Sequence, residues 1–217
     1  MPDNFRQQFI RFVVAKKVLG FGEFKTKAGR LSPYFFNAGL FHDGLALKQL
    51  AQFYAKAILD SGVAFDMLFG PAYKGIPLVA AVSIALADAG HNVQYSFNRK
   101  EEKDHGEGGS VIGAKLAGRV LIVDDVISAG TSVRQSVDII KAAKAAPCGV
   151  AIALDRMERG TGDLSAVQEV ERYYGMPVIS IAKLDDVVAF LQSDGKLSAN
   201  LEAVNKYREQ YGVSAHA

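Results

Sequence analysis

Two adjacent carboxylates, followed within a few positions by a run of small and hydroxylated residues, give the stretch VLIVDDVISAGTS at residues 120–132 the clearest chemistry in the sequence. Four apolar residues read as a buried strand, with Asp124 and Asp125 at its carboxyl end. Val126 and Ile127 then lead through Ser128, Ala129, Gly130, Thr131 and Ser132 into a predicted helix. Small residues let the backbone wrap an anion closely, and a helix N-terminus turns N–H groups and positive dipole toward it. Thr131 and Ser132 add hydroxyl donors. The run has no Gly-Lys-Ser/Thr, so it is not a Walker loop. Paired carboxylates repel a phosphate but accept hydrogen bonds from hydroxyl groups. A sugar phosphate supplies both partners: a phosphate for the loop, and ribose 2- and 3-hydroxyls for Asp124 and Asp125. A plainer reading, in which Asp125 or Ser128 only caps the next helix, needs one such residue and leaves the rest of the string unused.

A second stretch, GPAYKGIP at residues 70–77, follows a short apolar run and opens another predicted helix. Gly70 and Gly75 permit tight backbone, and Pro77 suits a first helical turn. Lys74 is its one cation and could meet an anionic oxygen, with Tyr73 helping to hold the loop. Taken alone, the stretch reads as an ordinary strand-to-helix turn with a solvated lysine. The third, RKEEKDHGEGG at residues 99–109, carries Arg99, Lys100 and Lys103 against Glu101, Glu102, Asp104 and Glu107. It is a charged, glycine-rich segment with little apolar anchor, and it reads as a surface loop.

These stretches need a scaffold that brings strand ends together. Short apolar runs, DMLFG, VQYSF, RVLIVDD, GVAIALD and PVISI, alternate with helical segments near residues 76–89, 131–145 and 165–174. Continuous apolar strands separated by helices predict an α/β fold with a parallel sheet covered on both faces, whose ligands sit at the carboxyl ends of its strands. Ahead of the sheet, Phe5, Phe9, Phe12 and Val13 fall at helical spacing, with Asp3 as the expected N-cap. FGEFKTKAGRLSPYFFNAG then predicts short strands and turns. Asp43 begins a helix with Leu47, Leu50, Tyr54, Ala57 and Ile58 on its apolar face. A last amphipathic helix carries Leu197, Leu201, Val204 and Tyr207. The chain of 217 residues suits a single domain, and its 49% hydrophobic and 22% charged residues are those of a globular protein. A net charge of +2 gives no general drive toward nucleic acid, so an anion site must be built locally. No run of 18 apolar residues offers a membrane span. The N-terminus lacks the continuous apolar stretch of a signal peptide, and the single cysteine, Cys148, fits a reducing cytoplasm.

VLIVDDVISAGTS resembles the phosphoribosyl-pyrophosphate motif of the type I phosphoribosyltransferases. FKTKAGRLSPYFFNAGLF, FGPAYKGIPL, FNRKEEKDHGEGG and ALDRMERG resemble, in order and spacing, segments of the bacterial orotate phosphoribosyltransferase family across nearly the whole chain. The resemblance implies a type I phosphoribosyltransferase core of five parallel strands with a small hood subdomain, mainly residues 20–40. It also implies a homodimer with shared active sites, and Mg²⁺ bound mainly through pyrophosphate and ribose hydroxyls. Residues 99–109 become a lid over the neighbouring subunit's site, bringing Arg99, Lys100, Lys103 and His105 to the pyrophosphate. Lys27, Phe35, Phe36, Ser128 and Arg156 fall near the base. Phe35 and Phe36 would offer an aromatic wall and backbone, Lys27 a cation, and Arg156 a fork for the orotate carboxylate. Paired aromatics more often serve as core. One departure is Ser128, where the family usually has Thr; the hydroxyl is kept and a methyl lost. The expected activity is transfer of the ribose 5-phosphate group of 5-phosphoribosyl 1-pyrophosphate to orotate. The alternatives are a transferase for another base and a non-catalytic regulator that binds the same sugar. Arg156 argues against a purine, which has no carboxylate to pair. Lys103 and His105, together with the short segment ahead of the hood, argue against a regulator with an added DNA-binding part.

Overall fold

The computed structural model describes residues 4–26, 29–103, 109–127, 130–160 and 162–213, with 100–103 and 109 as backbone only. The chain opens with α1 (Phe5–Ala15), which buries Phe9, Ile10, Phe12 and Val13. Its N-cap is Asn4, whose side chain accepts from the Gln7 amide; the cap is not Asp3, which lies outside the described residues. Strands β1 (Leu19–Lys25) and β2 (Leu31–Phe36) form a separate antiparallel hairpin. Helix α2 (Gly44–Ser61) starts at Asp43, whose carboxylate accepts from the Ala46 amide, and ends on Gly62 in the left-handed conformation.

The main sheet then builds through β3 (Met67–Gly70), α3 (Gly75–Asp88), β4 (Gln94–Lys103), β5 (Gly109–Gly113), β6 (Arg119–Val123), α4 (Thr131–Ala142), β7 (Ala146–Asp155), α5 (Ala166–Tyr174) and β8 (Val178–Lys183). It closes with α6 (Leu184–Ser193) and α7 (Leu201–Tyr211). The spatial order is β5-β4-β3-β6-β7-β8, with β5 antiparallel at one edge and the other five strands parallel. Alternate residues of the central strands enter opposite cores. Leu68, Leu121, Val123, Ala151 and Ala153 pack with α1, α2, α3 and α6 on one face. Phe69, Val120, Ile122, Val150 and Ile152 pack with Val133, Val137 and Ile140 of α4 and Val170 of α5 on the other. A strand buried on both faces is apolar throughout, which is why these runs show no alternation in sequence.

Beyond the N-cap of α1, the structure differs from the sequence reading at three places. The segment 99–109 is not simply a loop: β4 runs on through Lys103 and pairs back with β5, Phe97 facing Ile112 and Asn98 facing Val111. Charge hid this strand, because an edge hairpin need not be apolar. Helix α4 ends at Ala142, three residues short of the expected boundary. Helix α6 was not legible, because β8 passes into it at Lys183 without an intervening glycine or proline, the Lys183 amide bonding Asp186 Oδ2 at 2.8 Å.

Candidate active site

Strand β3 lies between β4 and β6: the chain steps from β3 outward to β4 and β5, then returns to the other side of β3 as β6, so the strand order reverses there. The crevice outside the carboxyl ends at such a switch point is where parallel α/β sheets bind ligands. The loops after β3 and β6 both open there, and they are the two stretches singled out by their glycines and carboxylates.

Asp124 and Asp125 are fixed from below. The Asp124 amide bonds the Ala151 carbonyl at 3.0 Å, and the Ala153 amide bonds the Asp125 carbonyl at 2.9 Å, extending the β6–β7 ladder. From α2, the wholly buried Tyr54 hydroxyl donates to the Asp124 carbonyl at 2.7 Å. The carboxylates are then aimed by short bonds. Asp124 accepts from the Asp125 amide at 2.9 Å and from the Ser132 hydroxyl at 2.8 Å. Asp125 accepts from the Val126 amide at 2.8 Å and from Lys74 Nζ at 2.8 Å. Burial, then the charge of Asp125, pushes the Asp124 carboxyl up to about 6, against the bonds from Ser132 and the Asp125 amide.

Gly130, in the left-handed conformation at φ 67°, precedes α4, and among the described residues no side chain caps that helix. Thr131 is exposed at the helix start. Ser132 is engaged with Asp124, so it ties the start of α4 to the carboxylates at the end of β6. Val126 and Ile127 are half-buried, Val126 against the first core and Ile127 against the second. Ser128 and Ala129 lie outside the described residues.

The loop after β3 is narrow because Gly70 and Gly75 approach each other. A Cβ on Gly70 would lie 2.2 Å from the Gly75 carbonyl oxygen, and one on Gly75 would lie 2.8 Å from the Gly70 carbonyl carbon. Neither position can carry a side chain without opening the turn. Ala72 donates its amide to Asn98 Oδ1 at 2.7 Å, which ties the loop to β4. Tyr73 is exposed, and Lys74 reaches across to Asp125 as described. Arg99 is half-buried on β4, and the backbone of Lys100 and Lys103 continues the same strand. His105 lies outside the described residues.

Arg156 leaves the carboxyl end of β7, next to β6. Its Nε and Nη2 donate to Glu158 Oε1 at 2.9 and 2.7 Å, Nη2 also reaches Ser32 Oγ at 3.1 Å, and its guanidinium lies 4.6 Å over the Tyr34 ring. Glu158 also accepts from the Tyr34 hydroxyl at 2.7 Å and the Tyr207 hydroxyl at 3.2 Å. Burial pushes the Tyr34 phenol well above its ordinary value, which keeps it a donor. The cluster joins β2, the loop after β7 and α7. Arg30 adds to it, donating to the Arg159 and Gly160 carbonyls at 2.8 and 2.9 Å. On the same hairpin Phe35 is 42% exposed and stacked on Phe24, whereas Phe36 is 5% exposed and belongs to the core. Phe35 can therefore present a ring to a ligand, and Phe36 can offer only its backbone. Lys27 lies outside the described residues.

Several residues of these networks were not picked out as functional from sequence, among them Tyr54, Asn98, Glu158 and Ser32. Tyr54 reads there as core alone. Asn98 carries one signal, a poor strand former directly after an apolar strand. Glu158 carries another, a carboxylate two positions beyond Arg156. Among the described residues no group of three or more His, Cys, Asp or Glu could hold a metal ion, and no helix is long and apolar enough to cross a membrane.

Comparison with known proteins agrees with this geometry. A family model described as a phosphoribosyl transferase domain matches residues 38–172. The orotate phosphoribosyltransferase of Thiobacillus denitrificans is 67% identical over 97% of this chain and 99% of its own length. That of Neisseria meningitidis is 64% identical over 97% of this chain and 99% of its own. The crystal structure of the Francisella tularensis orotate phosphoribosyltransferase superposes with a TM-score of 0.85 at 40% identity, covering 94% of this chain and 99% of that one. The chain belongs to the phosphoribosyl transferase domain family and, within it, to the orotate phosphoribosyltransferases.

Proposed function

We infer that the protein transfers the ribose 5-phosphate group of 5-phosphoribosyl 1-pyrophosphate to orotate, giving orotidine 5′-monophosphate and pyrophosphate in pyrimidine biosynthesis. The observation that carries this reading is the arrangement at the switch point. Two buried carboxylates, one bonded to Ser132 at the start of α4 and the other to Lys74, stand beside a helix N-terminus that no described side chain caps.

In the reaction an orotate ring nitrogen forms a bond to the anomeric carbon while the bond from that carbon to pyrophosphate oxygen breaks. Positive charge develops on the ribose and negative charge on the leaving group. Asp124 and Asp125 accept hydrogen bonds from the ribose hydroxyls. The segment from Val126 to Ser132 receives the 5-phosphate. Lys74 exchanges Asp125 for a pyrophosphate oxygen, supported by Tyr73, Arg99, Lys100 and His105, and Lys103 stabilises the departing charge. Phe35, the Phe36 backbone, Lys27 and Arg156 hold the base. Orotate is already ionised, so catalysis comes mainly from positioning and charge stabilisation.

Mg²⁺ fits this site without a protein cage, because it is commonly held by substrate phosphates with few carboxylates. Asp124 and Asp125 are the paired carboxylates of the site that would help to hold it through the ribose hydroxyls, and it would neutralise pyrophosphate charge. The wider reading has the β1–β2 hairpin as a hood and residues 99–109 as a lid over a neighbouring subunit's site. The protein is then a cytoplasmic homodimer with shared active sites, acting on small molecules with no nucleic-acid or membrane partner. The deciding experiment mixes the protein with Mg²⁺, phosphoribosyl pyrophosphate and orotate and follows orotate absorbance in the ultraviolet. Absorbance should fall only when all are present. No change with orotate, but turnover with another base, would reject the assignment.

A further inference from the structure

Asn98 stands where the two parts of the pyrophosphate side meet. Strands β3 and β4 keep parallel register up to Gly70 and Phe97. One residue further, the chain after Gly70 leaves the sheet, while β4 continues to Lys103. The Asn98 side chain takes over where the ladder stops. Its Oδ1 accepts from the Ala72 amide at 2.7 Å, and its Nδ2 donates to the Arg99 carbonyl at 3.3 Å. Asparagine is a poor strand residue, lacking the branched or aromatic body that packs on a pleated face. What it supplies here is an acceptor at the height of the departing loop. Residues 71–74 are pinched at their base by the Gly70–Gly75 approach, and the Asn98 bond fixes their middle. The loop so held carries Lys74, and the strand that holds it carries Arg99, Lys100 and Lys103.

We propose that Asn98 is a positioning residue for pyrophosphate, holding the Lys74 loop against β4 so that cations from the loop and from the strand meet one anion from fixed directions. Among the described residues its side chain bonds only that loop and its own strand. Its removal therefore loosens pyrophosphate and leaves the ribose-phosphate and base contacts intact. The proposal rests on the phosphoribosyltransferase reading above.

The test compares wild type, Asn98→Ala and Asn98→Thr. Threonine suits a strand, which guards the fold, and its hydroxyl is too short to reach Ala72. Calorimetric titrations use magnesium pyrophosphate and, separately, orotidine 5′-monophosphate, which occupies the ribose-phosphate and base contacts only. Loss of one such bond should weaken pyrophosphate about tenfold. The nucleotide should stay within about twofold, and the Ala72 amide should exchange with deuterium faster in both variants. Steady-state assays should show the matching split, a raised KM for phosphoribosyl pyrophosphate with orotate KM nearly unchanged. Unchanged pyrophosphate affinity, or equal loss of both ligands, overturns the proposal and leaves the enzyme reading standing. A wild-type protein that binds neither ligand rejects that reading and the proposal with it.

Discussion

Lys74 Nζ lies 2.8 Å from Asp125 Oδ2, so a single ion pair bridges the loops that follow β3 and β6 across the switch point of the sheet. The pair joins the proposed partner of the ribose hydroxyls, Asp125, to the proposed partner of the neighbouring pyrophosphate, Lys74. Sugar hydroxyls at Asp125 would compete with the lysine and release it toward the pyrophosphate.

That relationship gives the first prediction. The Lys74 side chain is 58% exposed, so the pair is screened and worth only about 0–1 kcal/mol to the fold. Lys74→Ala should keep its melting temperature within about 2–3 °C of wild type. It should raise the KM for phosphoribosyl pyrophosphate about tenfold, the scale of one charge-assisted contact. Calorimetry and steady-state kinetics read both. A large fall in melting temperature, or an unchanged KM, would mean that the pair is structural.

The second prediction follows from Asp124. Its folded value, about 6, lies above its ordinary 3.8. Between those values the folded chain holds a proton that the unfolded chain has lost. The stability contributed is therefore full below about pH 4 and is lost as pH rises through about 6. Asp124→Asn removes the buried charge and should stabilise the protein above pH 6 by up to about 3 kcal/mol, with little effect near pH 4. Urea unfolding at the two ends of that range measures it. Activity is expected to run the opposite way, because an ionised carboxylate is the stronger acceptor for the ribose hydroxyl proposed to bond it. The value of kcat/KM for the sugar substrate should fall as pH drops through about 6. Ser132→Ala deletes a bond that holds the Asp124 value down, so its acidic limb should move to higher pH. An acidic limb that stays put would remove Asp124 from the titration.

What sequence could and could not reveal here divides along physical lines. The parallel sheet was legible because strands buried on both faces are continuous apolar runs, and the Asp124–Asp125 loop because its composition has no cheaper structural use. The β4–β5 extension was not, since its residues are charged and its pairing is set by geometry at the sheet edge. The same limit applies to Arg156. Its fork was visible, and so was Glu158 two positions on, but its contacts with Ser32 and the Tyr34 ring join residues more than 120 positions apart. Sequence spacing carries no trace of such contacts.

Arg156 supplies the third prediction. The Arg156–Glu158 pair is nearly buried, at 17% and 14% side-chain exposure. Arg156→Ala should weaken orotate strongly, leave phosphoribosyl pyrophosphate nearly unchanged, and barely alter the poor use of uracil, which lacks the carboxylate. It should also cost about 3 kcal/mol of stability, because Glu158 is left buried without its cation. Adding Glu158→Gln removes the orphaned charge. The double variant should regain much of the stability and none of the orotate affinity. Recovery of orotate binding in the double variant would show that Arg156 only offsets Glu158 and does not hold the base.

The fourth prediction tests the shared site. If the β4 segment acts on a neighbouring subunit, each site combines Asp125 of one subunit with Lys103 of the other. Lys103→Ala should lower turnover about a hundredfold or more, the scale of removing one charge-stabilising group from a closed site. Asp125→Asn should likewise be nearly inactive through loss of ribose contacts. Each variant is first shown to form dimers, and the two are then mixed under conditions that allow subunit exchange. Random pairing makes half of the dimers mixed. In a mixed dimer one site carries both defects and the other carries none. Activity should therefore return to about a quarter of wild type for a symmetric dimer with independent sites. If the segment serves its own subunit instead, every site keeps one defect and mixing restores nothing. Exchange is verified separately by mass spectrometry of tagged subunits, so a silent mixture with confirmed exchange rejects the shared site and leaves the single-subunit chemistry intact.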